Sequence, residues 1–118
     1  MTAEITPKVR RLVLDRATPD GYHVPLCEAQ LPGCENVGME LHHRAGRGRD
    51  RRLCTAAAIL LLCRACHAHI TQHYCWDAGF SVHRQRGLDP ADVPVSYRGG
   101  AAVWLHVDGT TSPVEVVA

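Results

Sequence analysis

The chain has 118 residues, 46% of them apolar, and a net charge of +1. That suffices for one packed domain, and the overall charge is too small to announce a polyanionic partner. The N-terminus, MTAEITPKVRR, lacks the apolar core of a secretory leader, and the longest apolar run, AAAILLLC, is too short to cross a bilayer. Both features exclude a membrane-spanning helix and point to the cytoplasm.

The first predicted element is a helix from Pro7 to Ala17. Thr6 is placed to cap it, Pro7 suits its first turn, and Val9, Leu12 and Val13 recur at helical spacing. TPDG ends it with turn chemistry. YHVPLCEAQLPGCENVG follows as a loop, with Cys27 and Cys34 on a knuckle around Pro32-Gly33. MELHH, Met39 to His43, alternates as a short strand. The arginine- and glycine-rich stretch 44–52 reads as a polar loop. AILLLC reads as a buried strand, although such a run could equally start a helix. Arg64 to Tyr74 is the main helix, with no proline or glycine from Cys63 to Gly79. Beyond it VPVSY, AAVWLHVDG and PVEVV suggest short strands with a hairpin turn at Asp108-Gly109. The boundaries expected are 1–87 for the main domain and 88–118 for a β-hairpin extension.

Six cysteines and eight histidines in a reducing compartment bind metal more often than they pair as disulfides. Aromatic residues make up only 5% of the chain, so the core gains from a staple. Cys27 and Cys34 offer two thiolates on the knuckle. Cys63-x-x-Cys66 offers two more at a helix start, where the helix dipole favours their charge. Four thiolates are what a structural zinc ion takes. Cys54 and Cys75 have no evident partner and read as small hydrophobes.

If MELHH and AILLLC pair and Cys66 opens a helix, the order is strand, strand, helix. His42 and His43 then point to opposite strand faces, so one can hold a metal while the other takes a different task. LHHR, a basic loop and LLLCRACH, preceded by a cysteine pair, resemble the HNH endonucleases. The resemblance covers about residues 7–75 and is closest to the small HNH proteins of phages and actinobacteria, whose fold is a ββα-metal unit with a four-cysteine zinc. It implies an α+β protein: a small, treble-clef-like ββα-metal core, an N-terminal helix and a short β-rich tail. It further implies that His42 and His67 hold a catalytic divalent ion (Mg²⁺, Mn²⁺, Ni²⁺ or Zn²⁺). His43 matches the general base that activates water against a DNA phosphodiester.

The family's middle asparagine falls at Ala58 here, which leaves His43 less well oriented. A zinc-stapled DNA-binding protein with weakened catalysis, or an accessory of phage packaging beside a terminase, is therefore the alternative. Arg44, Arg47, Arg49, Arg51 and Arg52 fit a DNA-contacting loop whose phosphate contacts tolerate any sequence. The expected partner is double-stranded DNA read with little specificity, in a bacterial or phage-infected cytoplasm. His69 and His73 read as solvated or DNA-facing side chains, and His23, His83 and His106 as ordinary surface or strand residues.

Overall fold

Thr6 caps helix α1 (Pro7–Ala17): its hydroxyl accepts from the Val9 amide at 3.2 Å, with Pro7 in the first turn. The computed structural model describes residues 4–83 and 86–115. Strand β1 (Glu40–His43) pairs antiparallel with β2 (Ile59–Leu62), setting His42 opposite Leu60. Helix α2 (Arg64–His73) follows at once, capped by the Cys63 sulfur, which accepts from the Cys66 amide at 3.3 Å. Both helices and this strand order are as the sequence predicts. Tyr74, expected as the last residue of α2, instead leaves the helix in the left-handed region at φ 65°.

β2 is buried on both faces, which explains its unbroken apolar run. Ile59 and Leu61 pack with Val13 and Ala17 of α1. Leu60 and Leu62 point the other way, into a second cluster with Ile70, Phe80, Cys27, Cys63 and Cys66, against which Cys34 and Cys75 pack. Each leucine so buried contributes about 1.5–3 kcal/mol. A helix at this position would turn its apolar residues through all directions; a strand divides them between two cores.

The tail forms a second antiparallel sheet, β3 (Val95–Ser96), β4 (Ala102–Leu105) and β5 (Thr111–Pro113), in that order. Asp108 and Gly109 turn β4 into β5: Gly109 takes φ 90°, and the Thr110 amide donates to the Asp108 carboxylate at 2.9 Å. Of PVEVV only Pro113 lies in a strand. Val116 and Val117 lie outside the described residues. Val95 and Leu105 enter the same cluster as Leu60 and Leu62, so the tail contributes to the central core.

A polar knot fastens these parts. Glu28, fully buried, accepts from Arg16 Nε at 2.7 Å and Nη2 at 2.9 Å, from the Leu61 amide at 2.9 Å and from the Tyr97 hydroxyl at 2.6 Å. One carboxylate thereby joins α1, the knuckle, β2 and the tail. Burial opposes the charge of Arg16, but Glu28 outweighs it and holds the guanidinium above its ordinary value. Burial, and then the Glu28 carboxylate, push the Tyr97 hydroxyl up.

The basic stretch requires a correction. Ala45 is buried, and Arg44 is 2% exposed. Arg44 Nε donates to the Gly79 carbonyl at 2.9 Å, Nη1 to Ala57 at 2.6 Å and Pro90 at 3.0 Å, and Nη2 to Val93 at 2.7 Å. A side chain spent on four internal carbonyls is not a DNA contact. Burial lowers it to about 9, still protonated at neutral pH. Gly79, whose carbonyl is one of these acceptors, turns at φ 78°, and a Cβ there would collide with the Pro94 carbonyl, so only glycine fits. No helix among the described residues is long and apolar enough to cross a membrane.

Candidate metal centres

The knuckle is shaped by its own backbone: the Cys27 amide donates to Asn36 at 2.6 Å, the Cys34 amide to Leu31 at 2.9 Å, and Gly33 takes φ 85°. It brings Cys27 and Cys34 against the start of α2. The sulfurs of Cys27, Cys34, Cys63 and Cys66 all lie within 4.8 Å of one another, and Cys34 and Cys63 are 3.8 Å apart. Four thiolates at ~2.3 Å from a tetrahedral ion would stand about 3.8 Å from each other. The set therefore fits a structural zinc ion, and all four cysteines are reduced. The six-residue gap between Cys27 and Cys34 is bridged by the folded knuckle.

Amides line the sulfurs. Glu35 donates to Cys63 at 3.4 Å, Asn36 to Cys34 at 3.3 Å, and Cys66 to Cys63. Burial raises a thiol here, but at Cys63 the amides of Glu35 and Cys66 prevail and bring it down to about 7. Burial keeps Cys34 and Cys66 above the ordinary value. Four sulfurs so close cannot all be charged without a cation among them, and a bound ion must displace the remaining protons. Cys54 and Cys75 stand outside this group; Cys75 packs on the central cluster and Cys54 is buried.

Cys66 and His67 are adjacent, so they leave α2 about 100° apart. The sulfur faces the knuckle, and the imidazole faces β1. The rings of His42 and His67 meet edge-on with centroids 5.2 Å apart. His42 Nε2 donates to the Phe80 carbonyl at 2.7 Å, leaving Nδ1 as the basic nitrogen. His67 Nδ1 bonds the Glu40 carboxylate at 3.0 Å, leaving Nε2. Each ring is thus oriented by an oxygen on the nitrogen opposite the one that could bind a metal, as ligating histidines usually are. Burial first, and then the nearby His67, His43 and Arg44, push His42 down to about 4. It is neutral at pH 7, the form that binds metal.

His43 points to the other strand face yet reaches the same cleft, about 330 Å³, that His42, Ile70, Thr71, Tyr74 and Trp76 line. Burial, then Arg47, lowers it too, so this imidazole is also neutral. Of the five arginines assigned to a DNA-contacting loop, Arg44 is internal, whereas Arg47, Arg49, Arg51 and Arg52 are exposed. Arg47 shares a groove with His43 and Arg10. Arg51 lies by a different cavity beside α1, and Arg52 pairs with Asp50 at 2.6 Å. His69 and His73 are exposed, and His106 bonds Ser112. His83, partly exposed, stacks on Trp76.

Two participants escaped the sequence reading. Glu40 stands two residues before His42, hence on the same strand face, and that spacing was an available signal. Phe80 contributes only a backbone oxygen, which no side-chain pattern discloses. No known protein family, curated protein or solved structure matches the chain.

Proposed function

We propose that the protein is a metal-dependent DNA endonuclease of the HNH kind, built on a ββα-metal core and stapled by zinc at Cys27, Cys34, Cys63 and Cys66. The observation that carries this reading is the His42–His67 pair, with centroids 5.2 Å apart and one nitrogen of each ring already committed to an oxygen. At a metal–nitrogen distance of ~2.1 Å and a tetrahedral angle, two imidazoles sharing one ion have centroids roughly 5 Å apart. The donor set therefore fits a divalent ion with few protein ligands. Such an ion would supply charge stabilisation to a phosphodiester and its leaving oxygen.

The chain's own residues do the rest. His43, neutral and beside the pair, accepts a proton from the attacking water. Glu40 and the Phe80 carbonyl fix the two ring orientations. Arg47 and Arg49, exposed on the loop that follows His43, neutralise the phosphate backbone without reading sequence. Double-stranded DNA and a role beside a phage terminase both remain compatible partners on this reading.

A second reading, a DNA-binding relative with weakened catalysis, is favoured by one feature. Ala58 is fully buried and offers no polar side chain to orient His43. A plasmid assay separates the two. Supercoiled DNA is nicked in one of Mg²⁺, Mn²⁺ or Ni²⁺ if the first is right, and His43→Ala abolishes nicking while zinc content is unchanged. Equal nicking by His43→Ala sinks the base assignment. DNA binding without cleavage in every metal selects the second reading.

A further inference from the structure

One exposed feature of the cleft is not used by the chemistry just described. α2 does not fray at its end; it is turned sharply. The Tyr74 amide still donates to Ile70 at 2.6 Å, while the Cys75 amide donates back to His73 at 2.7 Å. Tyr74 thus sits at the centre of a γ-turn with φ 65° and ψ −45°, and Cys75 follows at φ 56° and ψ 51°. A γ-turn with positive φ is rare and strained, and two successive residues other than glycine in this region cost on the order of 1–3 kcal/mol each. Glycine would relieve the first of these, yet the position holds tyrosine.

The strain sets a ring in place. Tyr74 lies against Trp76 at 4.9 Å with planes 5° from parallel, and Trp76 stacks on His83 at 3.6 Å and 17°. The assembly is not hidden: Tyr74 is 51% and Trp76 38% exposed. Both line the cleft that holds His42 and His43. Flat, partly exposed ring surface in the His42–His43 cleft, next to a groove in which His43 also meets Arg47 and Arg10, suits a planar ring carried on an anionic backbone. Paired bases inside a duplex have both faces covered by their neighbours, so only an unpaired base can lie on such a surface.

We infer that Tyr74 and Trp76 form a stacking platform for an unpaired base of a DNA strand whose phosphate lies in the His42–His43 cleft, so that the preferred substrate contains single-stranded or splayed nucleotides. This rests on the nuclease reading for what happens at the phosphate, and it refines the substrate from duplex DNA to DNA with an unpaired base.

The test is Tyr74→Gly beside Tyr74→Phe, with binding followed by fluorescence anisotropy without added divalent ions. The probes are a short labelled oligothymidine and a duplex of the same length. Alanine-type truncation of a base-stacking ring costs roughly tenfold to a hundredfold in affinity, so Tyr74→Gly loses that much for the single strand and less than about twofold for the duplex. Tyr74→Phe keeps wild-type affinity. Because glycine relieves the γ-turn, Tyr74→Gly melts no lower than the wild type, which a merely structural tyrosine would not allow. Unchanged single-strand affinity, or equal losses for both probes, overturns the platform. Self-association abolished by Tyr74→Gly without any change in single-strand binding also overturns it, in favour of a second copy of the chain. Nicking that persists while the platform fails leaves the nuclease reading intact. A platform that holds in a protein that never nicks leaves only stacking.

Discussion

Arg44→Lys isolates what the buried arginine does. The guanidinium reaches the carbonyls of Ala57, Gly79, Pro90 and Val93 from three nitrogens held in one plane. A lysine carries three donors on a single nitrogen at the end of a flexible stem and cannot meet all four of these oxygens. At least one buried carbonyl is then left without its donor, costing about 1–3 kcal/mol. The expected loss is therefore at least ~1–3 kcal/mol, a sizeable part of the ~5–15 kcal/mol that a domain has. At roughly 4 °C per kcal/mol for a chain of this size, Tm falls by at least about 4–12 °C. The assay is thermal melting followed by circular dichroism at a fixed excess of zinc, since a bound ion itself shifts Tm. Arg49→Lys is the control: Arg49 is exposed, and its conservative substitution shifts stability by no more than about 0.5 kcal/mol. If Arg44→Lys melts with the wild type, the clamp is wrong and Arg44 returns to the DNA-facing set.

Chelation should leave the chain unable to hold its knuckle against α2, since structural zinc contributes on the order of 10–16 kcal/mol of binding energy. Protons compete for the sulfurs, and burial raises Cys34 and Cys66 while Cys63 sits at about 7. Zinc-dependent stability is therefore full at mildly alkaline pH and declines as pH falls below neutrality, measurable as zinc release to a chromogenic chelator; release that rises with pH would contradict this. Tyr97→Phe removes the 2.6 Å donation to Glu28 and should cost about 1.5–3 kcal/mol in a urea melt, the range for a hydrogen bond to a charged group. An unchanged midpoint would mean that the tail is not fastened through that bond. Glu40→Ala should weaken cobalt or nickel binding at the His42–His67 pair by roughly 10–100-fold, with one zinc per chain retained. Titration calorimetry showing equal affinity would remove Glu40 from the site.

What was legible in the sequence was local. Thr6-Pro7 caps and starts a helix within four residues, Cys63-x-x-Cys66 sets its own geometry, and Asp108-Gly109 demands a turn. What was not legible joins distant residues. Arg16, Glu28 and Tyr97 meet across 12 and 69 positions, and nothing near any of them announces the other two. Arg44 was misplaced for a different reason: a run of charge describes an average, whereas Arg44 continues the strand face of the buried His42 by alternation. Reading the alternation one step past His42 would have separated it from Arg47 and Arg49. Likewise Tyr74 was expected as the last residue of the main helix, and only its positive φ reveals that the chain turns there and sets its ring parallel to Trp76.

The same bookkeeping of carbonyls explains why position 58 can be alanine. Residues 56–58 form a tight turn that is fully buried, where an unmet backbone oxygen is costly. Arg16 donates to Ala56 and Ile59 at 2.7 Å each, and Arg44 donates to Ala57 through its side chain and to Ala58 through its amide at 2.9 Å. Four consecutive carbonyls are thus met by two arginines, one from α1 and one from the residue after His43. A polar side chain at 58 would find this backbone already satisfied and would itself need a partner in an apolar core. The link between the end of β1 and the turn before β2 is made from the β1 side, by Arg44, so small side chains at 56–58 are what leaves room for it. Position 58 therefore needs no polar side chain to tie this turn to the end of β1, because Arg44, the residue next to His43, makes that tie.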